Sequence, residues 1–152
     1  VWDRLMSLAD VNDESDADLE GMSQLGHALQ TANAIADAGL GEDWIVTGLV
    51  HDLGKILIQH GERQEFVVGD IFPLGCRYSE KIVRHEYLAE NPDAANPEFQ
   101  SLCGIYDEHC GLDRVVFSYG HDEYGYQIFH PYLPRECAWV IRYHSFQSIA
   151  GE

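Results

Sequence analysis

Residues 43–61 read DWIVTGLVHDLGKILIQHG and carry the pattern that decides the fold. Apolar residues recur along this stretch at the three- and four-residue spacing of a buried helix face, and Gly61 provides a natural stop. We predict one helix here, with Asp43 as its N-cap and the HDLGK segment (51–55) on its second half. The apolar stripe comprises Trp44, Ile45, Gly48, Leu49, Leu53, Ile56 and Leu57.

A second helical pattern precedes this stretch. From Ser23 the apolar residues again recur at helical spacing, and Gly39 supplies a C-terminal stop. We predict a helix between these two residues that carries His27 near its start. Its apolar residues are Leu25, Leu29, Ala32, Ile35 and Ala36.

The rest of the chain is less regular. Glycines and prolines break residues 61–97, which predicts loops and short helices. Residues 111–129 are predicted to be helical with an interruption near Gly120, and Pro134 is predicted to open a last helix that reaches His144. Because no alternating strand pattern of convincing length appears, the sequence predicts an all-α fold of helices packed on helices.

Composition limits the classes of protein that the chain fits. Its 152 residues and 45% hydrophobic content suit one domain, 1–152. No apolar run approaches the length of about 18 residues that a membrane helix needs, and no leader is present, so we expect a cytoplasmic protein without membrane contact. The net charge of -17 repels nucleic acid and anionic lipid and favours a neutral substrate or a cation. The acidic stretch 10–20 is predicted to be an exposed loop or arm.

The cysteines offer no metal or redox motif. Cys76, Cys103, Cys110 and Cys137 include no C-x-x-C pair, so neither a zinc ribbon nor a thioredoxin-type site is expected. We interpret them as reduced, buried thiols.

Histidine and aspartate are grouped along the chain in a way that points to metal chemistry. Eight histidines occur among 152 residues, and two of them, His51 and His121, are followed directly by an aspartate on predicted helices. Imidazole and carboxylate together suit iron, manganese, nickel or zinc, and a shared carboxylate can bridge two cations. Since adjacent helix residues point about 100° apart, both members of a His-Asp step reach one cleft only if two metals, or one metal close to the helix axis, lie there. The set is His27, His51, Asp52, His121, Asp122 and His144.

Other residues are placed to contact a ligand bound at such a centre. Lys55 follows His51 by one helical turn, so its ammonium is predicted to reach a ligand on the metals. The turn at Gly69 and Asp70, with its exposed backbone and carboxylate, suits a small polar ligand, and so does Ser145.

Six segments in this order resemble the myo-inositol oxygenase family. HDLGK alone occurs throughout the wider group of HD-domain metal hydrolases, but all six together, within residues 13–146, are specific to the oxygenases. The segments are HALQTA (27–32), HDLGK (51–55), VVGDIFPLGCR (67–77), HCGLDR (109–114), GHDEYGYQ (120–127) and IRYHSF (141–146).

The resemblance implies a fold, a cofactor and a reaction. The family has an all-helical HD-domain fold around an Fe(II)/Fe(III) pair, and it converts myo-inositol and O2 to D-glucuronate and water by oxidative ring cleavage. The matching implies that His27, His51 and Asp52 bind one iron. Asp52 is then the bridge, and His121 and His144 bind the other iron.

The same matching implies a substrate site. Lys55 would be catalytic, because it would hold a substrate oxygen and stabilise its alkoxide. The protein is expected to be a monomer. On position alone, Asp122 and Glu123 are candidates to orient the metal-binding imidazoles. The residues implied to surround the inositol are Asp13, Glu14, Ser15, Lys55, Gly69, Asp70 and Ser145.

One departure from the family and two alternative functions stay open. The family has a sixth ligand, an aspartate, well beyond the position of His144, and no aspartate follows Asp122 here, so we expect that ligand outside this sequence. The main alternative is an HD-type metal-dependent phosphohydrolase, although nine basic residues against 26 acidic ones suit a phosphate pocket poorly. A metal-storing or non-catalytic domain is the second alternative.

Overall fold

The computed structural model describes residues 1–9, 21–82 and 84–146, and helices joined by turns and loops make up this part of the chain. No strand occurs in these residues; an isolated antiparallel bridge joins Pro73 and Phe117. The α-helices are α1 (Trp2–Met6), α2 (Gln24–Asp37), α3 (Glu42–Val50), α4 (Gln64–Val67), α5 (His121–Phe129) and α6 (Arg135–Tyr143). The 3-10 helices are Leu53–His60, His85–Glu90, Pro92–Ala95, Pro97–Phe99 and Leu112–Arg114. The predicted all-α class is confirmed, and so are the short helices between 61 and 97.

Local capping chemistry defines the ends of α2 as predicted. Ser23 is the N-cap, and its hydroxyl oxygen accepts a hydrogen bond from the Gly26 N–H at 3.1 Å. At the other end Gly39 adopts a left-handed conformation (φ 73°) that any residue with a Cβ adopts at a cost. The buried face is offset from the predicted stripe, since Ala28 and Ala32 are buried whereas Leu29 is 40% exposed.

The long helix predicted from Asp43 to Gly61 is wrong in two respects. Its first residue is Glu42 with Gly41 as the N-cap, so Asp43 lies in the first turn, where a carboxylate interacts favourably with the helix dipole. The helix also ends at Val50. A turn at 51–52 follows, and the chain then continues as the 3-10 helix Leu53–His60.

Two glycines bring helix α5 against this turn. A Cβ on Gly54 would overlap the backbone carbonyl of His121, and one on Gly125 would lie 3.8 Å from the carbonyl oxygen of His51. The close backbone approach at Gly54 therefore requires the absence of a side chain. It holds the first turn of α5 beside the His51-Asp52 step.

The segment 111–129, predicted to be helical with an interruption near Gly120, contains the 3-10 helix Leu112–Arg114 and helix α5, but the part between them differs from the prediction. Residues 115–118 are extended, because Val116 accepts a hydrogen bond from the Leu74 N–H at 2.8 Å and the Ser118 N–H donates to Phe72 at 2.8 Å. Aromatic and β-branched residues favour such extended pairing. Helix α5 then starts after Gly120, and α6 starts after Pro134 as predicted.

The chain forms two compact units. The first comprises Val1–Gly69 and Tyr119–His144, and the second comprises Asp70–Ser118 and the residues from Ser145 onward. The predicted single domain stays a prediction. A hydrophobic cluster in the first unit contains Leu5, Leu8, Ala28, Val50, Leu53, Ile56, Phe129 and Ile141.

This cluster stabilises the first unit, since full burial of one such large aliphatic side chain contributes about 1.5–3 kcal/mol. It draws on α1, α2, α3, α5, α6 and the 3-10 helix Leu53–His60, so it fixes the elements that carry the histidines. Within the described residues, none of the helices has both the length and the apolar character that crossing a membrane requires.

Candidate metal centre

Five of the residues predicted to bind metal meet in the first unit. His27 lies in the first turn of α2, His51 and Asp52 form the turn after α3, His121 is the first residue of α5, and His144 directly follows α6. They form two groups of three that share Asp52. Within each group the potential ligand atoms lie within 4.8 Å of one another.

The two carboxylate oxygens of Asp52 face different histidine pairs. Oδ1 lies 3.2 Å from the Nε2 atoms of both His121 and His144. Oδ2 lies 3.5 Å from Nε2 of His51 and 3.7 Å from Nε2 of His27. The two Nε2 atoms within each pair are 3.2 Å apart. This is the arrangement in which one carboxylate could bridge two cations.

Backbone carbonyls orient three of the four imidazoles. The Nδ1 atoms of His51, His121 and His144 lie 2.8, 2.8 and 2.9 Å from the carbonyl oxygens of Gly48, Val67 and Ile141, respectively. A carbonyl only accepts, so each of these Nδ1 atoms carries a proton and each Nε2 faces Asp52. The Nδ1 atom of His27 is buried and has no hydrogen-bond partner among the described residues.

The donor set fits metal ions. Lone pairs on Nε2 atoms and carboxylate oxygens repel one another at 3.2 Å unless a cation or a proton lies between them. Two nitrogen ligands about 2.1 Å from one ion and roughly 90–110° apart lie about 3.0–3.4 Å from each other. The separations within both histidine pairs match this range. Imidazole with carboxylate is a set that suits iron, manganese, nickel or zinc.

Burial and hydrogen bonding set the charge states of the cluster. Burial lowers the pKa of His51 to about 4 despite the neighbouring Asp52, so this imidazole is neutral at pH 7, as a ligand must be. Burial alone would raise the pKa of Asp52, but hydrogen bonds from His121 and His144 and the charge of Lys55 hold it well below its usual value. Asp52 is therefore an anion at neutral pH.

His144 behaves differently from His51. Burial alone would lower its pKa, but the hydrogen bond to Asp52 and the charge of Asp122 outweigh this effect and raise the pKa above the usual value. A metal and a proton compete for Nε2 of His144, so a raised pKa makes metal binding at this atom more sensitive to pH.

Lys55 lies beside the cluster, as predicted, but the helix that carries it differs from the predicted one. Its side chain is buried, and Nζ donates a hydrogen bond to Oδ2 of Asp52 at 3.0 Å. Because the helix breaks at the His51-Asp52 step, Lys55 belongs to the 3-10 helix and not to the helical face of His51. Its ammonium is held next to the oxygen that faces His27 and His51.

The structure distinguishes the two residues predicted to orient imidazoles. Asp122 is fully buried, and its Oδ1 lies 3.0 Å from Nδ1 of His144. Glu123 instead pairs with Arg142 Nε at 2.7 Å and with Gln127 Nε2 at 2.6 Å. Both acids were equal candidates on sequence position, because only the folded positions of α5 and α6 decide which one meets a histidine.

The residues predicted to bind substrate belong to both units. Gly69 is the last residue of the segment Val1–Gly69 in the first unit and adopts φ 90°. The space that a Cβ would occupy is open. In the second unit Asp70 is half-buried, and the buried Ser145 accepts a hydrogen bond from the Ile71 N–H at 3.1 Å. Asp13, Glu14 and Ser15 lie outside the described residues. The substrate-binding roles of all these residues stay predictions.

Sequence reasoning missed the backbone carbonyls that orient the imidazoles. Those of Gly48 and Ile141 precede His51 and His144 by three residues at helix C-termini, a spacing that could have indicated them. The carbonyl of Val67 is distant in sequence from His121, and no residue type marks it.

Comparison with known proteins gives a consistent result. The family model for myo-inositol oxygenase matches residues 1–151. The chain is 47% identical to Inositol oxygenase 1 of Arabidopsis thaliana over 98% of this chain and 50% of that protein. It is 45% identical to the Probable inositol oxygenase of Oryza sativa subsp. japonica (96% and 49%) and 47% identical to the Inositol oxygenase of Homo sapiens (88% and 48%). The chain thus spans about half the length of the curated relatives it matches.

Metal binding at this cluster should stabilise the fold. Zinc or ferrous iron at about 1,000 times its dissociation constant should add about 4 kcal/mol to the free energy of unfolding, which raises Tm by roughly 10 °C. In His27→Ala most of this rise should disappear, because one ligand is lost. The exposed His60 provides the control, and His60→Ala should keep the rise. Differential scanning calorimetry with and without metal measures both, and an equal rise in His27→Ala would contradict ligation by His27.

Proposed function

The chain belongs to the myo-inositol oxygenase family, and from this premise we propose that it acts in the oxidation of myo-inositol by O2 to D-glucuronate and water. The observation that carries the proposal is the Asp52 carboxylate, which faces one histidine pair with each oxygen. Such an arrangement suits two cations side by side, as a dinuclear oxygenase requires.

We propose His27, His51 and Asp52 as ligands of one iron, with Asp52 bridging to a second iron held by His121 and His144. Burial keeps His51 neutral, and hydrogen bonds keep Asp52 ionised, so both are in the form that ligates. As an Fe(II)/Fe(III) pair, the ions would supply the Lewis acidity and the electron that the reaction with O2 needs. The nitrogen and oxygen donor set is compatible with iron.

Lys55 is the proposed catalytic residue. Its ammonium donates to Asp52 Oδ2 at 3.0 Å, which places a buried positive charge at the edge of the metal cluster. A substrate hydroxyl that approaches the same edge would lose its proton more easily beside this charge, because the ammonium stabilises the resulting alkoxide. Lys55 needs no change of its own protonation state for this role.

The proposed substrate is a neutral polyol. Inositol carries no charge that the net charge of -17 would repel, whereas a phosphate ester does. Its ring of hydroxyls needs many donors and acceptors at fixed angles, and carboxylates, hydroxyls and exposed backbone supply these. We propose that Asp13, Glu14, Ser15, Lys55, Gly69, Asp70 and Ser145 provide them.

The same reasoning places the phosphohydrolase second. Both activities use histidine and aspartate ligands, but binding of a phosphate ester relies on several Arg or Lys side chains. The chain has nine basic residues against 26 acidic ones, and its relatives are named inositol oxygenases. We further propose that the protein works as a monomer in the cytoplasm.

An aerobic assay tests the proposed reaction. The full-length protein, loaded anaerobically with iron and then given myo-inositol and O2, should form one D-glucuronate for each O2 consumed. Chromatography of the product and an oxygen electrode measure the two quantities. Hydrolysis of phosphate esters without O2 uptake would show instead that the phosphohydrolase is the correct function.

Removal of the Lys55 ammonium should separate catalysis from metal binding. Lys55→Met keeps most of the side-chain volume, so iron content should stay normal while kcat falls by about 10²–10³-fold. Lys81, the other lysine of the chain, is exposed, and Lys81→Met provides the control with unchanged kcat. Normal turnover in Lys55→Met with a full iron content would refute the catalytic role.

A further inference from the structure

A buried carboxylate that is not among the proposed metal ligands lies behind one of the histidines. Asp122, in the first turn of α5, is 0% exposed. Its Oδ1 lies 3.0 Å from Nδ1 of His144, at the end of α6. Burial of a carboxylate costs free energy unless the carboxylate accepts hydrogen bonds, so the burial of Asp122 beside His144 requires a physical reason.

We propose that Asp122 is the positioning residue of His144: its carboxylate accepts the Nδ1–H, fixes the ring across the α5–α6 contact and leaves Nε2 free to bind a metal. The inference rests on the proposed function, because it assumes that Nε2 of His144 binds a metal. A carboxylate, a histidine and a metal in this order form a known orienting arrangement, in which the carboxylate also raises the basicity of the imidazole.

The neighbouring His121 is not the target of Asp122. Its Nδ1 already donates to the Val67 carbonyl at 2.8 Å. Asp122 Oδ2 approaches His121 only at Nε2, at 3.4 Å, which is longer than a good hydrogen bond and lies on the side that faces Asp52. Asp122 therefore acts between helices and not on its neighbour in sequence.

The contact makes the two sides of the cluster unequal. The Nδ1 atoms of His51 and His121 donate to neutral carbonyls. That of His144 donates to the Ile141 carbonyl at 2.9 Å and also lies 3.0 Å from Oδ1 of the Asp122 carboxylate. Hydrogen bonds to an ionised acceptor are roughly twice as strong as those to a neutral one. Among the described residues, His144 is the only histidine of this cluster that has a carboxylate next to its Nδ1. Its Nε2 thus becomes the strongest electron-pair donor to a metal among the four imidazoles.

Glu123 provides a matched control on the same helix. It also joins α5 to α6, through its 2.7 Å contact with Arg142, but its other partner is Gln127 and neither is a histidine. Loss of charge at Glu123 therefore perturbs the helix contact without altering the support of an imidazole.

The test compares Asp122→Asn with Glu123→Gln in the full-length protein, using zinc alone as the probe. Isothermal titration of the metal-free protein should show zinc affinity reduced by about 10–100-fold in Asp122→Asn and changed by less than about threefold in Glu123→Gln. In zinc-loaded protein labelled with 15N-histidine, the Nδ1–H signal of His144 should shift upfield in Asp122→Asn. The signals of His51 and His121 should stay in place.

Several results would overturn the proposal. These are wild-type zinc affinity in Asp122→Asn, an unmoved His144 signal, or an equal loss of affinity in Glu123→Gln. If Asp122→Asn does not fold, the Nδ1–H signals of the unmodified zinc-loaded protein provide the test. There the Nδ1–H of His144 should be farther downfield than those of His51 and His121, and any other order contradicts the proposal. Neither readout uses inositol or O2. If both give the expected results but the protein forms no glucuronate, the proposed function is refuted and the role of Asp122 is not.

Discussion

The carboxylate of Asp52 lies in a buried position surrounded by four imidazole nitrogens and the ammonium of Lys55. Removing a carboxylate from water costs several kcal/mol, and any Nε2 lone pair that faces it adds repulsion to that cost. Cations between the carboxylate and the imidazoles turn both unfavourable contributions into favourable ones. The local fold of the first unit serves this requirement, since α2, α3, α5 and α6 each bring one histidine to the same carboxylate.

The break after α3 is what lets two adjacent residues serve one cluster. In a continuous helix, His51 and Asp52 would diverge by about 100°. The helix ends at Val50, and Asp52 adopts φ -95° and ψ 1°, outside the helical region. The close approach of the His121 backbone to Gly54 holds α5 against this turn. Backbone packing and ligand geometry are thus produced by the same few residues.

The sequence predicted the parts of the structure that depend on residue type or local pattern. Ser23 and Gly39 mark the ends of α2, because capping and left-handed geometry are local properties. The histidines and aspartates pointed to metals of this class because of their side-chain chemistry, and the resemblance to a known family selected five of them as ligands. Their meeting around Asp52 is a tertiary property, and the resemblance to a known family supplied it in advance.

The features that the sequence could not predict depend on distant partners. Residues 115–118 are extended because they bond to the segment around Phe72, whereas their local pattern also suited a helix. The carbonyl of Val67 has no distinctive residue type, although it orients His121. Asp122 and Glu123 are equivalent in sequence, and only the packing of α5 on α6 gives one of them a histidine and the other an arginine.

Anomalous X-ray diffraction at the iron absorption edge, from crystals of the iron-loaded full-length protein, tests the central claim most directly. We expect two peaks, one between Asp52 Oδ2 and the His27–His51 pair and the other between Asp52 Oδ1 and the His121–His144 pair. A single peak, or peaks bound to other side chains, would contradict it.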